Sequence, residues 1–222
     1  PDPSGLPVSP EENILAFIAD QSPYLEEWER ELIEIVIEDA NYFMPQIRTK
    51  IMNEGWASFW HYKILHELNL GENFHLPFMK MHNAVVRPHI GGVNPYHLGF
   101  KVFKYIEKTQ GFDECLRVRE THNDETFLKS FLNEELCKEL NLFSYSFHQK
   151  EGYNKIMSVS GEHTWQTVRD DLIKTIGLNS VPVVLVKELT KSGILILEHE
   201  HDGRDLELSE ANKVFDQINQ LW

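Results

Sequence analysis

The sequence has few cysteines and no long apolar run. Cys115 and Cys137 are its two cysteines, and they form no C-x-x-C pair, so neither a disulfide framework nor a cysteine zinc site is expected. No apolar stretch approaches the roughly 18 residues that span a bilayer, and no basic-then-apolar signal segment opens the chain. We therefore predict a soluble protein without a transmembrane segment, located in the reducing cytoplasm.

Positive charge is also scarce. The chain has 21 Lys and Arg against 35 Asp and Glu, which gives a net charge of −14. Because binding to nucleic-acid phosphates rewards clustered Lys and Arg, we expect no nucleic-acid partner. The remaining composition, 41% hydrophobic and 25% charged, is that of a folded chain with a substantial core rather than of a disordered one.

Several catalytic and nucleotide-binding motifs are missing. The sequence contains no phosphate-binding P-loop, no GxGxxG after a strand and no GxSxG nucleophile elbow. Nucleotide binding and a serine triad are therefore unsupported. His66-Glu67 is followed by Leu-Asn-Leu, so the second histidine of an HExxH zinc motif is absent.

The hydrophobic pattern changes near residue 140. Before it, helical spacing predicts helices over residues 10–19, 23–43, 45–68, 76–86, 95–108 and 124–140, with a mixed segment over 111–123. After residue 140, an alternating pattern predicts strands over residues 142–147, 155–159, 181–186, 193–199 and 206–208. Two helices are predicted among them, over residues 164–176 and 209–222. The prediction is an α+β fold: a helical domain (1–140) followed by a small domain (141–222) with an antiparallel sheet and two helices.

The helix predicted over residues 45–68 carries the most suggestive pair. Glu54 and His61 are seven residues apart, close to two turns, and so project from one face. A carboxylate and an imidazole on one face suit a metal site for zinc or another divalent ion. The alternative is a buried Glu–His hydrogen bond. Trp56 and Trp60 share a different side, where packing in the core explains them.

Two further histidines extend the metal hypothesis. A catalytic zinc ion usually has three N or O ligands from the protein and one water. The metal hypothesis therefore expects His82 and His89 to converge in space with Glu54 and His61. The alternative is that they are core or surface histidines with ordinary partners. His75, His82 and His89 are spaced by seven residues, but Pro77 and Pro88 are expected to prevent one continuous helix from aligning them, so the spacing carries no weight.

A loop beside these histidines offers anion-binding groups. Arg87 adjoins His89, and its planar guanidinium suits a carboxylate or phosphate. Asn94 precedes a proline and begins the next helix, whose first N–H groups suit the same ligand. We therefore predict a substrate-binding set of Arg87, His82, His89 and Asn94, with simple turns and caps as the alternative.

Motifs spread over essentially the whole chain resemble the SpoVR family (stage V sporulation protein R). These motifs are Lys50 to Ala57 with Trp60-His61, His82-Asn83 with Val86-Arg87-Pro88, Gly92 to Tyr96 with Leu98-Gly99, Glu120-Thr121, and His201 to Arg204. Members of the family are about twice this length. The chain resembles their later part, and we expect it to be a fragment that lacks an opening part rich in His, Tyr and acidic residues.

The resemblance implies a role in bacterial sporulation, in assembly of the spore cortex peptidoglycan, although relatives also occur in bacteria that form no spores. The Glu-Gly-Trp-Ala segment is also similar to one in zincin metallopeptidases, which implies a metal-dependent hydrolase. Glu54 would then be a metal ligand, and His61 would bind or orient the metal. The competing hypothesis is a non-catalytic regulatory or interaction factor with a structural Glu/His network and a protein partner. The metal hypothesis expects Glu54, His61, His82 and His89 to line one open pocket. The competing hypothesis expects Glu54 to be sealed among apolar residues and bonded within the protein.

Overall fold

The computed structural model describes residues 13–89, 92–148, 153–159 and 164–222. The helices of this part are α1 (Ile14–Gln21), α2 (Glu27–Arg48), α3 (Lys50–Glu67), α4 (Glu72–Val85), α5 (Pro95–Gln110), α6 (Phe112–Thr121), α7 (Asp124–Phe131), α8 (Glu134–Glu139), α9 (Trp165–Lys174) and α10 (Leu208–Leu221). The strands are β1 (Phe143–His148), β2 (Tyr153–Val159), β3 (Val184–Leu189) and β4 (Leu195–His199). The α+β class is confirmed. None of the described helices is long and apolar enough to cross a membrane.

The chain forms two compact units, of which the first combines the two ends of the sequence. Unit 1 comprises residues 1–45 and 181–222, and unit 2 comprises residues 46–180. The expected change from helices to strands does occur near residue 140, between the end of α8 and the start of β1. The compact units have different bounds because contacts in space, rather than the order of elements, define them.

Unit 2 is built around the crossing of α3 and α5. Gly55 of α3 and Gly99 of α5 meet there: a Cβ on Gly55 would lie 2.4 Å from backbone atoms of Gly99, and one on Gly99 would lie 2.2 Å from the carbonyl oxygen of Ile51. Only glycine permits this approach. Phe59, Phe103 and other fully buried side chains of α3, α5, α6 and α7 fill the core around the crossing.

The buried side chains of unit 2 include both cysteines. Cys115 on α6 and Cys137 on α8 are fully buried free thiols. Burial raises the pKa of each thiol to about 11. These cysteines are therefore packing residues rather than nucleophiles.

Unit 1 has a smaller core. Phe17 of α1 packs against Val186 and Leu189 of β3, and its ring stacks on Trp222 with centroids 5.9 Å apart. The hydroxyl of Ser22 donates to the Leu221 carbonyl at 2.7 Å. These contacts join the segment after α1 to the end of α10.

The strands form two separate antiparallel pairs instead of the single predicted sheet. β1 pairs with β2, and β3 pairs with β4. The strand predicted over residues 206–208 is wrong, because the Glu207 side chain accepts a hydrogen bond from the Glu210 N–H and caps α10. A capping side chain at that position starts a helix where alternation suggested a strand.

The helix boundaries near Pro45, Pro77 and Asn133 also differ from the predictions. Pro45 does not start a helix but lies inside α2, and α3 begins after Thr49. Pro77 lies inside α4, where a proline near the start removes one backbone hydrogen bond without ending the helix. The helix predicted over 124–140 is two helices, because Asn133 caps α8 by accepting from the Leu136 N–H.

Candidate functional site

The start of α3 is fixed by a buried carboxylate of α7. Asp124 accepts hydrogen bonds from the N–H groups of Ile51 and Met52, both at 2.9 Å, and is 3% exposed. Burial raises the pKa of Asp124, and the backbone donors oppose that rise. This bond satisfies free N–H groups in the first turn of α3 and so positions the residues that follow. The sequence predictions missed it, because the pairing spans 73 residues.

Glu54 is bonded within the protein. It is half-buried on α3, and its carboxylate accepts a hydrogen bond from the hydroxyl of Tyr96 on α5, which raises the pKa of Tyr96. This bond links the two helices that cross at the paired glycines. Glu54 is bonded within the protein, as the polar-network alternative expects, but it is half-buried rather than sealed among apolar residues, so that alternative stays a prediction.

His61 contacts a different helix from Glu54. Its ring lies 5.2 Å from the ring of Phe78 and 6.1 Å from that of His82, measured between centroids, and both neighbours belong to α4. Glu54 instead bonds to α5. The two residues that the seven-residue spacing paired therefore have separate surroundings.

His82 is the buried member of a group of histidine rings. It is 3% exposed, and its Nε2 atom has no hydrogen-bond partner among the described residues. The rings of Phe100 and Tyr62 lie 5.0 and 5.3 Å away. Burial lowers the pKa of His82, and repulsion from His61 and His66 adds to this effect. A buried nitrogen without a partner costs free energy and suits only the neutral ring.

The sequence predictions missed two further histidines of this group. We name His61, His66, His75 and His82 the histidine cluster. The rings of His66 and His75 are 5.5 Å apart, and His75 and His82 share one helix, α4. The seven-residue spacing of His75 and His82 is the signal that could have placed these two on one face of α4, and the expected interruption at Pro77 is wrong because Pro77 lies inside α4.

The structure places the predicted substrate-binding residues in different surroundings. Asn94 is buried and caps α5: its side chain accepts from the Tyr96 N–H and donates to the carbonyls of Val85 and Arg87. His89 lines a cavity of about 230 Å³ that includes Asn94, whereas His82 lies in the histidine cluster. The Arg87 side chain is exposed, and Arg87 does not line that cavity.

The described residues bring too few metal-ligating side chains together for a metal centre. Within residues 13–89, 92–148, 153–159 and 164–222, no three His, Cys, Asp or Glu side chains are placed to share one metal ion. A catalytic zinc centre normally uses three protein ligands and one water. The described residues by themselves therefore do not supply the three ligands of such a centre.

Comparisons with known proteins give one consistent relationship. The family model described as "SpoVR like protein" matches residues 2–181. The "Uncharacterized protein YcgB" of Escherichia coli (strain K12) is 32% identical over 203 residues, which cover 79% of this chain and 40% of that protein. The chain thus spans well under half the length of the curated relative it matches. No solved structure matches.

Proposed function

The chain belongs to the SpoVR-like family, and on that premise we propose that it acts in bacterial spore cortex formation as a non-catalytic part that binds a protein partner in the cytoplasm. The bond between Glu54 and Tyr96 is the observation that carries this proposal. In a metal-dependent enzyme of the zincin type this glutamate would bind the metal. Here its carboxylate joins α3 to α5.

Other residues of the same motifs support the proposal, because each has a structural task. Gly55 and Gly99 allow α3 and α5 to approach. Asn94 caps α5 and ties it to the preceding turn. These motif residues thus have roles in packing and capping, which supports a non-catalytic part.

Substitution of Glu54 tests the proposal, because a glutamine replaces the carboxylate but keeps an acceptor for the Tyr96 hydroxyl. The experiment introduces the whole protein, with Glu54→Gln or Glu54→Ala, into an endospore-forming strain that lacks its own SpoVR-like protein. Cortex peptidoglycan per spore is measured. We expect Glu54→Gln to restore the cortex as well as the unchanged protein does. We expect Glu54→Ala to lower the free energy of unfolding by about 1 kcal/mol, because the hydrogen bond to Tyr96 is lost.

A clear outcome would contradict the non-catalytic proposal. If Glu54→Gln is as stable as the unchanged protein and yet restores less than about a tenth of the cortex, a charged carboxylate is required, as in catalysis or metal binding.

A second candidate function, a metal-dependent hydrolase, is favoured by the pairing of His61 with His82. The Nε2 of His82 lacks a partner among the described residues, and a metal ligand is one chemical use for such a nitrogen. We propose that zinc or another divalent ion would then be held by these two histidines and by groups outside the described residues. Metal analysis of the whole protein tests this: about one ion per chain, lost in His82→Phe, would support it, and no bound metal would refute it.

A further inference from the structure

The longest described helix leaves its apolar side uncovered. None of the 22 residues of α2 is buried. Five large apolar side chains of its unit 1 part fall on one face, because they are spaced by one, three, four or seven residues; we name them the α2 stripe. Their exposed fractions lie between 48% and 60%: Trp28, Leu32, Ile35, Val36 and Phe43. The stripe runs along roughly 22 Å of helix. Contiguous exposed apolar surface of this extent marks an interaction site.

The α2 stripe is not the face that holds α2 to its own unit. The guanidinium of Arg30 donates to the carbonyls of Ala19 and Ser22, and Ile37 lines a cavity shared with α1. Helical spacing places Arg30 and Ile37 opposite Trp28 and Ile35, because two residues turn the helix by slightly more than half a circle. The stripe is therefore free for something other than α1.

Negative charge lies within the α2 stripe and along one side of it. The helix carries six carboxylates and two arginines, and Arg30 is occupied with backbone carbonyls. No ion pair to these carboxylates is found in the described part of the chain. The carboxylates are Glu27, Glu29, Glu31, Glu34, Glu38 and Asp39.

Asp39 identifies the chemistry of the missing partner. It is exposed, and it lies within the stripe, four residues before Phe43 and three after Val36. Covering the stripe with a purely apolar surface would bury this carboxylate without a cation, at a cost of several kcal/mol. A second copy would bring more carboxylates to the same place, and an anionic membrane or a nucleic acid would be repelled.

We propose that the α2 stripe docks an amphipathic helix of another protein whose apolar face is flanked by lysine and arginine. The proposal rests on the proposed function, since it supplies the chemistry of the partner and the place where it binds. The apolar side chains provide contact area, and the basic flanks meet Asp39 and the glutamates. Helix pairing of this kind is a common recognition mode.

Two matched synthetic peptides test the docking proposal on the whole protein. Both peptides have about 20 residues, which is long enough to form a helix on binding, and both carry the same row of leucines on one face. Lysines flank this row in one peptide, and glutamates flank it in the other. Binding is measured by fluorescence anisotropy of the labelled peptide. We expect the lysine peptide to bind at least about tenfold more tightly than the glutamate peptide, and added salt to weaken its binding.

Variants on the two helix surfaces make the test specific. Replacing both Leu32 and Ile35 by Ser should weaken the lysine peptide by about tenfold or more, and Asp39→Asn should weaken it and reduce its salt dependence. Ile64→Ser is the matched control, because Ile64 is an isoleucine of α3 with 49% exposure, and it should bind the peptide as the unchanged protein does.

Several results would overturn the docking proposal. The proposal is wrong if both peptides bind equally, if the lysine peptide still binds after the Leu32 and Ile35 substitutions, or if neither peptide binds the whole protein. It is also wrong if the protein self-associates and Ile35→Ser abolishes this, because the stripe then binds a second copy. If the peptides do not bind but the Glu54→Gln protein restores the cortex, only the docking site is rejected. If the lysine peptide binds as expected but the Glu54→Gln protein fails to restore the cortex, the non-catalytic function is rejected and the docking site is retained.

Discussion

At the scale of single residues, the closest backbone approach in unit 2 depends on two missing side chains. A methyl group at Gly55 or Gly99 would sit 2.4 or 2.2 Å from backbone atoms of the facing helix, a separation that packed atoms do not tolerate. Backbone atoms are unable to swing aside as the end of a long side chain does. The crossing of α3 and α5, and with it the Glu54–Tyr96 bond, therefore depends on glycine at both positions.

We expect Gly55→Ala to lower the free energy of unfolding of the protein by about 3 kcal/mol, because the helices must separate to admit the methyl group. Alanine's better helix propensity offsets only about 1 kcal/mol of the clash. Urea unfolding followed by circular dichroism measures the change. Gly92→Ala is the control: nothing lies within 4 Å of its added Cβ, and its effect should stay within about 0.5 kcal/mol. Equal effects of the two substitutions would refute the crowded crossing.

At the scale of secondary-structure elements, periodicity predicted most helices and strands but not their ends. The amphipathic pattern of α2 and the Asn94-Pro95 start of α5 were visible in sequence because they depend on neighbouring residues. Asn133 was overlooked as a cap inside an apolar run, so α7 and α8 were merged. A cap overrides periodicity because it satisfies N–H groups at once.

The candidate site was less predictable than the elements that carry it. Spacing placed Glu54 and His61 on one helix correctly, but their partners belong to α5 and α4. Which helix approaches which part of α3 depends on the glycine crossing and on the Asp124 cap. Both are contacts between distant segments, and local periodicity contains no information about them.

The packing of α3 against α4 and α5 predicts a loss of stability in mild acid. Burial lowers the pKa of His82 and of His97 below the ordinary value of 6.5. Below pH 6.5 the unfolded chain therefore binds more protons than the folded chain, so the stability present above that pH is lost as pH falls towards the folded pKa values. We expect the free energy of unfolding to fall between pH 7 and 5 in chelator-treated protein.

His82→Phe separates the contributions of the two histidines. Phenylalanine fits the aromatic surroundings of His82 but binds no proton, so the acid-induced loss should become smaller, and the remainder should reflect His97. Urea unfolding at a series of pH values measures how steeply the free energy of unfolding falls with pH in the variant and in the unchanged protein. An identical pH dependence in the two proteins would show that His82 does not contribute.

At the scale of the whole molecule, the two compact units differ in the size of their cores. The described core of unit 2 contains 18 buried apolar residues, and that of unit 1 contains three. The grouping of residues 1–45 with 181–222 was not predictable from local pattern, because it depends on contacts such as Phe17 with Val186, which are far apart in sequence.

Because buried apolar area provides most of the stability of a unit, unit 1 should open at lower free energy than unit 2. Hydrogen exchange with mass spectrometry at increasing urea concentration measures this for each segment. We expect the amides of β3 and β4 to lose protection before those of α5. Phe17→Ala should lower the opening free energy of β3 and β4 by about 3 kcal/mol. If α5 loses protection in parallel, the units open as one.

The two buried thiols of unit 2 have a practical consequence. A thiol with a pKa near 11 in a fully buried position reacts with alkylating reagents only when its surroundings open. Cys115 and Cys137 lie on α6 and α8, both in unit 2, and they are the only cysteines of the chain. The rate of their alkylation therefore reports the opening of unit 2 alone. The protein carries a native chemical probe for this unit, and no engineered label is needed.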